Sequence, residues 1–149
     1  MKDSLLCLLS NKKFQIIFLV YSSLLTFLGR QLDRGITNFD GAYYAIKARE
    51  IFSSDSLWVV TWNGSAHFFD NPPLPFWLTG LVYKVFGVSS YAAVFSSAIF
   101  GVLIVFLTYS LCNYLYKDNW ISFFASFVLL FPGLFLDSSR RAMLDITLA

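Results

Sequence analysis

Charge is what this sequence lacks most. Only 13% of its 149 residues are Asp, Glu, Lys or Arg, against 57% hydrophobic and 19% aromatic. A soluble domain carries roughly 25% charged residues. The shortage excludes an ordinary soluble domain and points to an integral membrane protein. A net charge of +2 gives no basis for a nucleic-acid partner. Cysteine is nearly absent too. Cys7 and Cys112 are too far apart in sequence to form a disulfide framework or a metal motif, and each reads as a small apolar filler. A cleavable leader is also missing. Lys12 and Lys13 interrupt the early run Leu5–Leu9, and no small-residue cleavage site follows, so the N-terminus reads as a retained anchor. There is no internal repeat and no low-complexity tract.

Long uncharged runs take the place of charge, and they predict a single all-α membrane domain over 1–149 with about three transmembrane helices. The first span covers 14–29, between Lys12-Lys13 and Arg30. It is short against the roughly 20 residues a bilayer needs, and the flanking cations extend it by snorkelling. The second covers 92–116, with Ser97 and Gly101 forming a small-xxx-small face for a neighbouring helix. Lys117-Asp118-Asn119 makes a tight turn into the third, 120–136, which tolerates Pro132 near its far end.

Between the first two spans, 30–88 forms a long loop with juxtamembrane helices. Asp40 to Phe52 reads as a helix with Asp40 as N-cap, Leu57–Thr61 as a short strand and Trp62–Ser65 as a turn. Pro72 to Tyr83 is too short to span. Its prolines suit a helix start and its Trp77 and Tyr83 suit the headgroup zone, so it reads as an interfacial helix. The excess of Lys2, Lys12 and Lys13 over Asp3 keeps the N-terminus cytoplasmic. The loop then lies outside, and Asp40, Asp70 and Asp145 meet on that side.

Acidic residues at a membrane rim are costly unless used or paired. The segments "NFDGAYYAIKAREI", "WNG", "FFDNPPLPFWLTGLVYKVFG" and "SSRRAMLDITLA" carry them in an order that resembles the GT-C superfamily of polyprenyl-phosphate-sugar-dependent glycosyltransferases. The bacterial branch of protein O-mannosyltransferases and lipid A aminoarabinose transferases is the most similar, over Asn38–Ala149. The acidic-PPL segment is its most specific part. The resemblance implies the N-terminal part of a GT-C fold in a bacterial inner membrane, multi-pass, with its active side facing outward. It implies a polyprenyl-phosphate-linked sugar donor and an envelope acceptor: lipid A, a glycan or a protein.

By the same resemblance Asp40 is the catalytic base and Asp145 the second acidic position. Arg140, Arg141, Asn71 and Tyr43 fall where donor and phosphate are bound. Asp70, with His67 three residues before it, falls where some members hold a divalent metal cation. Two departures stand out. Asp40 is followed by Gly41 rather than a second acid, and Asn71 stands where many members have lysine.

Each residue also has a plainer reading. Asp40 caps a helix, Asp70 sits in a turn, His67 is a surface histidine, Arg140-Arg141 anchor an interface, Asp145 pairs with one of those arginines and Tyr43-Tyr44 pack. At the level of function, a truncated remnant or small scaffold competes with the enzyme. A transporter is disfavoured, because the spans are uncharged and the charge gathers at one rim. Three spans enclose little, so an N-terminal fragment is expected, its further spans supplied by a separate chain.

Overall fold

Asn11 starts the first helix. Its side chain accepts from Lys13 N at 3.0 Å, the N-cap role that Asn suits. The computed structural model describes residues 10–29, 36, 38–51, 60–62, 65–66 and 71–148. Helix α1 covers Lys12–Leu28, α2 Phe39–Glu50, α3 Leu74–Phe86 and α4 Ser90–Tyr116. Helices α5 (Asn119–Val128), α6 (Gly133–Arg140) and α7 (Asp145–Leu148) follow. Strands β1 (Thr61–Trp62) and β2 (Ser65–Ala66) pair antiparallel between α2 and α3. The chain is therefore mostly helical, as its composition predicts. The expected turn at Trp62–Ser65 falls at the tip of this hairpin. Of the expected strand Leu57–Thr61, positions 57–59 lie outside the described residues.

Helix α4 is the axis of the molecule. Ser89 caps it by accepting from Ala92 N at 3.2 Å, and Lys117 ends it in the left-handed region at φ 54°. Asp118 then accepts from Trp120 N at 2.7 Å and Ile121 N at 3.1 Å, opening α5 at once. That gives the expected tight turn its geometry. Helix α1 runs antiparallel to α4 in a register marked by polar contacts. Lys12 Nζ donates to Asn113 Oδ1 at 3.2 Å, and Tyr109 OH donates to Gln15 Oε1 at 3.0 Å inside an otherwise apolar layer. Such a bond fixes register because neither buried group can be left unpaired cheaply.

Two apolar clusters hang on this axis. Leu19, Phe27, Ala98, Val105, Tyr109 and Leu130 join α1, α4 and the end of α5. Ala48, Ile51, Phe76, Tyr83, Ala93 and Leu144 join α2, α3, the start of α4 and the final segment. The second cluster carries the candidate site.

Three expectations change. Residues 120–136 do not form one straight helix: α5 and α6 meet at 72°. The last turn of α5 tightens, with Leu130 N to Phe127 O at 3.0 Å and Phe131 N to Val128 O at 3.2 Å. Pro132 cannot donate, and it disfavours helix at the residue before it, so the chain turns there. Among the described residues α4 alone is long and apolar enough to cross a bilayer by itself, and α5 with α6 passes only as a bent pair. Helix α1, at 17 residues, is shorter than a usual span. The second change concerns Asp40, which is not the N-cap of α2. Asn38 holds that position at φ −113° and ψ 151°, and Asp40 lies in the first turn, where the helix dipole suits a negative charge. Third, among the described residues Asp145 does not pair with Arg140 or Arg141. Arg141 Nε pairs with Asp137 Oδ1 at 2.7 Å, one helical turn back, which is the nearer carboxylate on its own chain.

Candidate active site

Asp40, Tyr43, Tyr44 and Lys47 stand at i, i+3, i+4 and i+7, which is one face of a helix. On α2 Tyr44 and Lys47 of that face turn toward α3 and the final segment, while Asp40 is exposed at its N-terminal end. The Tyr44 ring lies 6.1 Å from that of Phe76 on α3. Tyr43 stacks on Phe39 at 6.2 Å and takes the edge of Trp62 at 5.4 Å, so the hairpin closes one side. Thr61 Oγ1 fastens the hairpin by donating to Glu50 Oε2 at 2.9 Å. Lys47 is fully buried. Its Nζ sits 4.1 Å from the Tyr43 ring centroid and 5.7 Å from that of Phe76, and it donates to Asn71 Oδ1 at 3.4 Å. Burying an ammonium is tolerable when π faces and an acceptor replace its water.

Asp145 arrives from the other end of the chain. Asn38 Nδ2 donates to Met143 Sδ at 3.6 Å, and Ser97 Oγ of α4 donates to Met143 O at 3.4 Å. These contacts pin the segment after α6 to the start of α2. Asp40 and Asp145 each lie two residues from one end of that pin. The result shows at Tyr44, whose phenol is pushed above its ordinary pKa first by burial and then by the charges of Asp40 and of Asp145. Both carboxylates therefore act on one tyrosine.

The arginines divide. Arg140 Nε donates to Thr26 O at 2.8 Å, tying the end of α6 to the last turn of α1. Arg141, with its side chain 42% exposed, keeps its pair with Asp137 at the surface, so it is the more available of the two to an incoming anion. Asn71 and Tyr43 meet at Lys47. Asp70 and His67 lie outside the described residues. Among the described residues, no three His, Cys, Asp or Glu side chains gather as metal ligands.

Under the Tyr44 ring a cavity of about 20 Å3 is lined by Thr79, Ser96, Ser97 and Met143 among others, and the Thr79 and Ser96 hydroxyls lie 2.8 Å apart. It has room for about one water. Lys47 is the residue that motif reading missed. The spacing of 40, 43, 44 and 47 puts it on the face of Asp40, but its contact with Asn71 is not encoded in that spacing.

Known proteins resemble this chain at low identity. A polyprenol-phosphate-mannose–protein mannosyltransferase of Mycolicibacterium smegmatis is 28% identical over 81% of the chain and 23% of its own length. An undecaprenyl phosphate-alpha-4-amino-4-deoxy-L-arabinose arabinosyl transferase of Proteus mirabilis is 27% identical over 95% of the chain and 26% of its own length. An uncharacterized protein of Aquifex aeolicus is 26% identical over 70% of the chain and 21% of its own length. The chain thus spans about a quarter of the length of the curated relatives it matches. No solved structure matches it with significance. The sequence pattern of the dolichyl-phosphate-mannose-protein mannosyltransferase family matches residues 14–149, and the chain belongs to that family of GT-C membrane glycosyltransferases.

Proposed function

We propose that this chain carries the catalytic face of a glycosyltransferase that moves a sugar from a polyprenyl-phosphate donor to an envelope acceptor at the outer side of a bacterial inner membrane. The observation that carries the reading is the contact of Asn38 with Met143, which holds the segment before Asp145 at the start of α2 beside Asp40, close to the buried Lys47 and its partner Asn71. Two relatives, one a mannosyltransferase and one an arabinosyl transferase, support by their names a lipid-phosphate-linked donor.

In this mechanism Asp40 takes the proton of the acceptor hydroxyl as the oxygen attacks the anomeric carbon. The bond from that carbon to the phosphate oxygen breaks, and the polyprenyl phosphate leaves with the electron pair. A hydroxyl is a weak nucleophile until a positioned base removes its proton. By analogy with inverting glycosidases, the base stands on the face opposite the leaving group. A phosphate leaves without a general acid, provided donors and cations hold its charge. In this reading Asn71 and Arg141 supply those donors, Arg140 ties α6 to α1 through Thr26 O, and Tyr43 offers a face to the sugar. Asp70 and His67 would hold a divalent cation, which would add positive charge for the leaving phosphate. Asp145, sharing Tyr44 with Asp40, orients the acceptor.

The test is Asp40→Asn in the protein expressed from its complete open reading frame, given a labelled polyprenyl-phosphate sugar and an envelope acceptor. Loss of the base lowers the transfer rate by ~10²–10⁴ with expression retained. Turnover near that of the unaltered protein would remove Asp40 from catalysis.

A further inference from the structure

We propose that Lys47 is a positioning residue that orients the Asn71 amide, so that the NH2 of Asn71 is presented to the donor phosphate. The inference rests on the glycosyltransferase reading above and adds a residue and a role to it. An ammonium offers three donors and no acceptor, whereas the Asn side chain has an accepting oxygen on one arm and two N–H donors on the other. Lys47 Nζ lies 3.4 Å from Asn71 Oδ1. The flipped amide would set donor against donor, so the ammonium selects one orientation, with Nδ2 directed away from it.

Lys47 itself is fully buried, with Tyr43 and Phe76 across its ammonium, so its charge acts through a neighbour. Asn71 is half-buried at the rim, just ahead of Pro72, Pro73 and the start of α3. The arrangement delivers a buried positive charge to the site as two oriented N–H donors. The ammonium also polarises the amide, and hydrogen bonds in a chain strengthen one another. An anionic oxygen, the group a sugar-phosphate lipid brings, is the acceptor that such donors fit.

Conversion of Asn71 to Asp separates this role from a structural one. Asn71→Asp keeps an oxygen for Lys47, and with it the packing of α2 on α3, but removes both N–H donors. Donor affinity is read by direct binding of the polyprenyl-phosphate sugar to the protein from the complete reading frame, in an Asp40→Asn background where no transfer depletes the ligand. Asn71→Asp and Asn71→Ala are each expected to weaken binding by ~10–100-fold, the loss of a hydrogen bond to a charged group. Lys47→Met is expected to weaken it similarly, and Lys47→Met with Asn71→Ala no more than either alone. Unchanged affinity in Asn71→Asp, or additive losses in the double variant, would overturn the proposal. Transfer by the Asp40→Asn protein near the rate of the unaltered protein would instead overturn the reading of the function and leave the binding comparison standing.

Discussion

Gly41 shows how much one side chain decides in this site. A Cβ there would meet Asn38 Oδ1 at 2.6 Å and Ile36 Cγ2 at 3.2 Å. The departure from an acidic pair after Asp40 thus has a local cause: position 41 is filled by Asn38, which reaches across to Met143. Gly41→Ala gains helix propensity of about 1 kcal/mol and displaces the Asn38 amide. The two effects have different readouts. Thermal stability is expected to stay near that of the unaltered protein, while sugar transfer falls because the Met143–Asp145 segment loses its pin and about 1 Å of misplacement can cost ~10²-fold. A variant that is more stable and fully active would show that the pin has no bearing on the site. Asp40 and Asn71 were singled out in the sequence as candidates because each lies inside a motif. Lys47 was not, because its meaning depends on a contact with a residue 24 positions away, and no local pattern encodes that distance. The pairing of Arg141 with Asp137 instead of Asp145 is a choice between two acids at i−4 and i+4, which spacing alone leaves open.

Between elements, the crossing of α4 with α6 and α1 is the tightest feature. A Cβ at Gly101 would lie 2.7 Å from Ser139 Oγ and 2.9 Å from Phe27 Cε2. The small-residue face read from Ser97 and Gly101 is therefore real, and its partners are Ser139 and Phe27. Gly101→Val forces these helices apart and should cost about 1–3 kcal/mol, seen as a lower unfolding temperature in detergent. Ser139 behaves in the opposite way. Its Oγ is buried with no hydrogen-bond partner among the described residues, so Ser139→Ala removes an unsatisfied group and should leave stability unchanged or raise it. A clear loss on Ser139→Ala would mean that the hydroxyl does have a partner. The helices and the loop hairpin were readable from hydrophobic runs, caps and turn residues. The break between α5 and α6 was not, since Pro132 near the end of an apolar run is compatible with both a tolerated kink and a 72° turn. What selects the turn is packing: it brings Arg140 to Thr26 and Ser139 to Gly101.

For the whole molecule, the antiparallel register of α1 and α4 places Lys12 beside Asn113 and Phe27 beside Gly101. Single cysteines in a background lacking Cys7 and Cys112 test the orientation proposed for it. Cysteines at Ser65 and Ser90 should react with an impermeant thiol reagent from outside, and those at Ser10 and Lys117 only after permeabilisation. Labelling of Ser65 and Lys117 from the same side would invert or abolish that topology. The last expectation concerns residues 1–149 as a separate polypeptide, which we expect to insert in a bilayer without transferring sugar. The groups proposed for the chemistry are linked: Lys47 donates to Asn71, and Asp40 and Asp145 both act on Tyr44. The described residues around Tyr44 leave little space for a substrate. The cavity beneath Tyr44 measures about 20 Å3, whereas ligand pockets usually enclose roughly 300–1,000 Å3. Leu103, Leu107, Leu111 and Leu115 of α4 are exposed, a row at four-residue spacing that meets lipid or further helices. Without more walls, water reaches the acidic pair and screens the interactions that would hold a leaving phosphate. Reconstituted into vesicles, this polypeptide should resist carbonate extraction and yet give no product from a labelled polyprenyl-phosphate sugar. Product that disappears with Asp40→Asn would show that copies of the chain build the missing walls from one another.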